Sequence, residues 1–217
     1  EHERFISGVA MALDTSGGTL VPRGFSSVAR SYLSQRPELL AMAWLPRVTA
    51  PERAALENWA SSRHRLRYFI ADVDQDGFPH TAPRRPVYYP VLMVEPNSGL
   101  LQLGRDFMSE PVRAQALNQA LATGRPAASA PVRAVRSGGE QAIHLLQVAR
   151  GVREGARPAG VLDLTLEIDT YLQRSVRQTG FEDFLAAFSD TTPGRPPMVI
   201  QDSTARSYRE IDNRKEL

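Results

Sequence analysis

Cysteine is absent from the 217 residues. That excludes disulfides, thiolate nucleophiles and zinc sites built on thiolates. Lysine is nearly absent: of 26 basic residues, Lys215 alone is a lysine, and it lies in the tail. A phosphate loop of the glycine-and-lysine type is therefore missing. No apolar run approaches the ~18 residues a membrane-spanning helix requires, and no signal-peptide pattern opens the chain. Charge of one sign is also scarce. The net charge is +2 and the arginines are scattered, so nothing points to a nucleic-acid partner.

Catalytic and metal signals are equally thin. The four histidines, His2, His64, His80 and His144, stand at no metal-ligand spacing with one another or with a carboxylate. His144, in an apolar strand, reads more readily as a satisfied buried histidine than as a ligand. Asp72-Val73-Asp74-Gln75-Asp76-Gly77 has the opening of a calcium loop, but position twelve of that loop falls on Pro83 and a strand precedes it. A polar turn is the better reading. No nucleophile, base and oxyanion donor come together in the pattern. The sequence predicts no catalytic residue, no metal and no cofactor.

What is present is a sequence of helices followed by mixed strands and helices, an α+β pattern with mostly antiparallel sheets. Glu1–Leu13 carries Phe5, Ile6, Val9, Ala12 and Leu13 on one helical stripe. A second helix spans about Pro22–Gln35. Leu39–Trp44 reads as a strand, and Thr49-Ala50-Pro51-Glu52 as a capping box opening a helix to about Arg65, with Leu56, Trp59 and Ala60 inward. Leu66–Val73 and Val87–Glu95 are predicted strands, and Leu100–Gly104 a short one. Ser109 is the expected N-cap of a helix that buries Val112, Ala116, Leu117, Ala120 and Leu121 and stops at Gly124. Strands are expected at Ala127–Val135, Ala142–Val148, Ala159–Leu166 and Met198–Gln201. Helices are expected at Asp169–Arg177 and Thr179–Phe188.

The central stretch, Val87 to Val135, carries a resemblance. Tyr88-Tyr89-Pro90-Val91, Asp106, the Ser109 helix, Thr123-Gly124-Arg125-Pro126 and Ser129-Ala130-Pro131 occur in the order found in the CHASE domain. Upstream, Pro37-Glu38-Leu39-Leu40-Ala41-Met42-Ala43-Trp44-Leu45-Pro46-Arg47-Val48 followed by Glu52-Arg53 is similar to that family's other signature. The similarity runs roughly from Gly17 to Leu172.

CHASE domains are extracytoplasmic sensor modules of receptor kinases and cyclases. The resemblance implies an N-terminal stalk helix with two PAS-like units: stalk and N-terminal helices over 1–36, a membrane-distal ligand-binding unit over 37–152 and a membrane-proximal unit over 153–217. It implies a periplasmic domain, transmembrane helices flanking it in a longer parent, a homodimer through the stalk helix, and an output module such as a sensor histidine kinase or a cyclic-nucleotide enzyme. Residues carried over from the family's pocket are Leu101, Leu103 and Phe107 for the apolar wall, with Ser129, Val135 and Leu145. Tyr88 and Tyr89 alternate across the strand, so one of them, Tyr89, can face the pocket. Each of these also has a plain core reading. The acid that holds an adenine ring in the plant cytokinin receptors has no counterpart, because Pro111 and Val112 occupy its place. A buried adenine N–H would lose its charged acceptor, so the small-molecule ligand is expected not to be an adenine cytokinin. The competing reading is a protein-interaction ectodomain whose sheet is filled by its own side chains.

Overall fold

The computed structural model describes residues 1–12, 24–74, 77–96, 102–133, 141–150, 158–179, 187–190 and 198–202. Helices α1 (His2–Ala12) and α2 (Phe25–Leu33) come first. Then follow β1 (Leu39–Pro46), β2 (Val48–Thr49), α3 (Arg53–His64), β3 (Ala71–Val73), β4 (Pro79–Thr81), β5 (Val87–Tyr88) and β6 (Met93–Glu95). A 3-10 turn (Phe107–Ser109) leads into α4 (Pro111–Thr123). The remainder is β7 (Ala127–Ala128), β8 (Val132–Arg133), β9 (Gln141–Arg150), β10 (Pro158–Glu167), α5 (Ile168–Thr179), β11 (Ala187–Asp190) and β12 (Met198–Asp202).

One six-stranded sheet organises the chain, in the order β6-β1-β10-β9-β7, with β8 on β9 as well. Every paired named strand is antiparallel. The fold is α+β, as the element pattern predicted. β1 is covered on both faces, which is why its sequence is a continuous apolar run and not an alternation. β10 lies between β1 and β9. Residues 152 and 153 lie outside the described residues, between the paired strands β9 and β10.

The sheet separates two apolar layers. Trp44, Met42, Leu162, Leu164, Leu166, Leu145 and Ala149 face one side, where Ile6, Val9 and Ala10 of α1 and Phe25 and Ala29 of α2 cover them. Ala41, Ala43, Leu45, Leu146, Val148 and Val161 face the other, under Ala116, Leu117 and Ala120 of α4. The buried stripe of the first helix is therefore taken up by its own sheet. Ser7 Oγ of α1 also donates to Gln147 Oε1 of β9 at 3.2 Å.

Several local expectations are corrected. The residues Val87–Glu95 form two short strands with a break at Pro90, which bridges to Asp106. Of Leu100–Gly104, residues 102–104 are a turn, and Leu100 and Leu101 lie outside the described residues. Ser109 does not cap α4. Asp106 accepts from the Met108 N–H at the head of the 3-10 turn, and α4 starts two residues later with Pro111 in its first turn. Glu52 reaches back to the Thr49 N–H at 2.8 Å, but α3 begins at Arg53. Trp59 is half-exposed and not inward. Leu66 to Ile70 lie outside the ladder, and Ala187–Asp190, expected to be helical in part, pairs with β12. Residues 180–186 and the tail from 203 lie outside the described residues. Gly124 takes the left-handed conformation, φ 68°, at the end of α4.

Gly104 stands where the backbone admits no side chain. Its φ is +86°, and a Cβ there would come within 2.1 Å of the Phe69 carbonyl oxygen. Its own carbonyl accepts from the Ala71 N–H at 2.9 Å, tying this turn to β3. Gly104→Ala combines left-handed strain with a backbone clash. It should cost about 3 kcal/mol in urea denaturation; a change within about 0.5 kcal/mol, the range of an ordinary surface substitution, would contradict this account of the turn.

Candidate functional site

The layer under α4 contains a charged centre. Register sets Ala41 beside Thr165 and Thr165 beside His144, and sets Ala43 beside Asp163. The two alanines leave space above β1 that the longer polar side chains of β9 and β10 use. Arg113 descends from α4 into this space. It occupies the apolar face of that helix, where Ala116, Leu117 and Ala120 follow it at helical spacing.

Arg113 Nε–H donates to His144 Nε2 at 2.9 Å. An arginine Nε always carries its proton, so His144 Nε2 must be the acceptor. The imidazole proton is then on Nδ1, 2.9 and 3.0 Å from the two carboxylate oxygens of Asp163. Thr165 Oγ donates to Asp163 Oδ2 at 3.2 Å. From β9 the His144 backbone N–H donates to Ser129 Oγ at 3.0 Å, and Ser129 Oγ donates to the Ala130 carbonyl at 2.8 Å. Phe107 stands edge-on to His144, ring centroids 5.3 Å apart, with the Arg113 guanidinium 5.5 Å from its ring centroid. Toward the surface, Arg105 Nη2 donates to Glu110 Oε2 at 2.8 Å, and Arg113 Nη1 forms an ion pair with the same oxygen.

Burial dominates the electrostatics. His144 is held below its ordinary pKa first by burial; Asp163 opposes this, and Arg113 adds to it. Arg113 is pushed down to about 9 by burial and then by Arg105. Arg105 is lowered by burial alone. His144 is therefore neutral, which its hydrogen bonds require independently. The imidazole nitrogen that could serve as a base is occupied by Arg113.

Asp106 performs a different task. Its carboxylate accepts from the Tyr89 N–H at 2.9 Å, the Met108 N–H at 3.2 Å and Arg85 Nη1 at 3.1 Å. Burial raises its pKa despite these partners. Arg85 also holds Asp72. The group closes the turn that carries Phe107, and Asp72 is held in it by Arg85. No cluster of metal-ligating side chains occurs among the described residues.

Of the residues expected to line a pocket, Tyr89 and Phe107 share the α4 layer, and Ser129 meets it through the His144 N–H. Leu103 is half-buried and touches both layers. Leu145 faces the opposite layer, against the helices. It follows His144 on the strand, and one residue flips the face. Leu101 and Val135 lie outside the described residues. Arg105, Glu110, Arg113, Asp163 and Thr165 belong to the centre and were missed. Two signals existed: an arginine in the apolar stripe of α4, and an alternating strand, Val161 to Glu167, whose polar face turns out to be buried.

The fold and this centre define a mixed helix and antiparallel-sheet module with its charged groups enclosed between sheet and helix. Residues 20–200 match the family model of the CHASE domain. The chain belongs to the CHASE domain family, whose members are extracellular sensor modules and not catalysts. No curated protein matches it. A solved structure similar to it is the extracellular domain of mmHK1S-Z3, a candidate histidine kinase, with 14% identity and a TM-score of 0.41. The alignment covers 88% of this chain and 55% of that one, so the chain spans little more than half the neighbour's length. No helix among the described residues is long and apolar enough to cross a membrane.

The neutral state of His144 sets a pH dependence. Its folded pKa lies below the unfolded value near 6.5. Below that value the unfolded chain takes up a proton that the folded chain refuses, so stability falls with falling pH, by up to about 1.4 kcal/mol per pH unit. His2 is shifted the same way and adds to the effect. Urea midpoints between pH 7.5 and 5 should therefore fall more steeply for the native chain than for His144→Gln. Parallel curves would show that His144 is charged in the fold.

Proposed function

We propose that this module binds a small molecule on the α4 side of its sheet and passes the event to an output domain across a membrane. One observation carries the reading. Arg105, Glu110, Arg113, His144 and Asp163 are gathered on a sheet face paved with alanine, where apolar packing would serve stability at least as well. Charged groups kept at such a cost suit recognition. Tyr89, Phe107 and Ser129 border the same face, and Leu103 lies at its edge. In this reading the ligand-holding unit extends through Glu167, and α5 leads toward the second unit. Binding would alter the strands beneath, and Gln147 of β9 and His2, which hydrogen-bonds Tyr32 at 2.9 Å, tie those strands and α2 to α1. A ligand moves such an equilibrium only by its difference in affinity for the two states.

The parent is proposed to be a periplasm-facing receptor of a two-component or cyclic-nucleotide system, anchored by flanking transmembrane helices. It would dimerise through the face of α1 that its own sheet does not cover, where Met11 is exposed. A second reading, a protein-interaction ectodomain, is favoured by one fact: Phe107, His144 and Asp163 are 0%, 1% and 0% exposed, so this part of the face is filled by its own side chains.

A thermal-shift screen of the chain against small metabolites tests the first reading. A ligand at ~100 times its dissociation constant adds roughly 2.7 kcal/mol. At least one saturable hit is expected, weakened by Phe107→Leu, with adenine cytokinins inert. A cooperative melt that no compound in a broad set shifts would transfer the assignment to protein interaction.

A further inference from the structure

We infer that the proposed ligand face receives the carboxylate of a small organic acid, anchored by Arg105 and Arg113, and that Glu110 occupies the acid's place until it arrives. This rests on the ligand-binding reading above. Two guanidinium groups converge on one oxygen, Glu110 Oε2. One donor is held in reserve: Arg105 Nε is buried with no hydrogen-bond partner among the described residues. A buried donor without an acceptor is costly, and a carboxylate with two oxygens would supply what one oxygen of Glu110 cannot. Asp163 is unavailable for this, since His144 and Thr165 engage both its oxygens.

The surroundings favour an anion further. Arg113 is the third residue of α4, where the positive end of the helix opposes a cation. Glu110 stands at the N-cap but makes no capping hydrogen bond, so its carboxylate serves the arginines and not the helix. Burial and then Arg105 push the Arg113 guanidinium down. Exposure rises outward in order: the side chains of Arg113, Arg105 and Glu110 are 7%, 16% and 31% exposed. Glu110 can swing into water without disturbing the Arg113–His144–Asp163 chain below it.

The test is calorimetric titration of the whole chain, at fixed ionic strength, with acetate, pyruvate, succinate and benzoate. Acetamide, succinamide and benzamide are the neutral mates, and inorganic phosphate is a separate arm. At least one acid should bind saturably and its amide about tenfold or more weaker. Glu110→Gln, which removes the internal competitor, should tighten the acid about fivefold, and Arg113→Met should abolish binding. Because Arg113→Met strips His144 of its donor and can unfold the chain, Arg105→Gln serves as the second loss variant. Equal binding of acid and amide, or weaker binding by Glu110→Gln, overturns the inference and leaves the ligand-binding reading standing. Binding of phosphate alone overturns the carboxylate assignment. If the acids are inert while another compound class binds, the inference fails; if nothing binds, both fail.

Discussion

The structure turns on one hydrogen bond, from Arg113 Nε–H to His144 Nε2. It joins α4 to the sheet through a cation and an imidazole that are both almost fully buried. Because arginine cannot accept, the bond fixes the tautomer of His144 and hence the direction of the next bond, to Asp163. A chain of fixed polarity results, running from α4 through β9 to β10, the middle strand of the sheet. Removing either end leaves a buried polar group unsatisfied, which costs more than the net gain of an ordinary hydrogen bond.

That chain makes sense of the layers around it. On the helix side the sheet is leucine, tryptophan and methionine against α1 and α2, and the burial of such side chains stabilises by roughly 1.5–3 kcal/mol each. On the α4 side the same strands carry alanine, aspartate, threonine and histidine at their centre. One face holds the fold together and the other holds charge. The Arg85–Asp72–Asp106 group stands beside the charged face and fixes the turn from which Phe107 and then Arg113 project.

Much of the fold was legible because its signals are local. Helical stripes, the left-handed stop at Gly124 and the apolar run of β1 each follow from a few neighbouring residues. Elements that depend on distant partners were less legible. β10 alternates like a strand with one face in water, yet Asp163, Thr165 and Glu167 are all buried, because α4, β1 and the start of α5 cover them. Val87 to Glu95 reads as one strand, but Asp106 captures the Tyr89 N–H and Pro90 interrupts the ladder. Of the residues carried over from the family pattern, Tyr89 and Phe107 lie in the α4 layer, Ser129 meets it through the His144 N–H, and Leu145 faces the other layer. The charged members were not legible at all as a group: Arg113, His144 and Asp163 lie 31 and 19 residues apart and meet only in the sheet register.

The claim beneath this account is that Arg113 holds His144 as the neutral tautomer protonated on Nδ1. Nitrogen chemical shifts of the imidazole, measured on isotope-labelled protein near neutral pH, report that directly. The account predicts one pyrrole-type nitrogen at Nδ1 and one pyridine-type nitrogen at Nε2, persisting below the ordinary pKa of histidine. A protonated Nε2, in either the other tautomer or the imidazolium, would break the bond from Arg113 and contradict it.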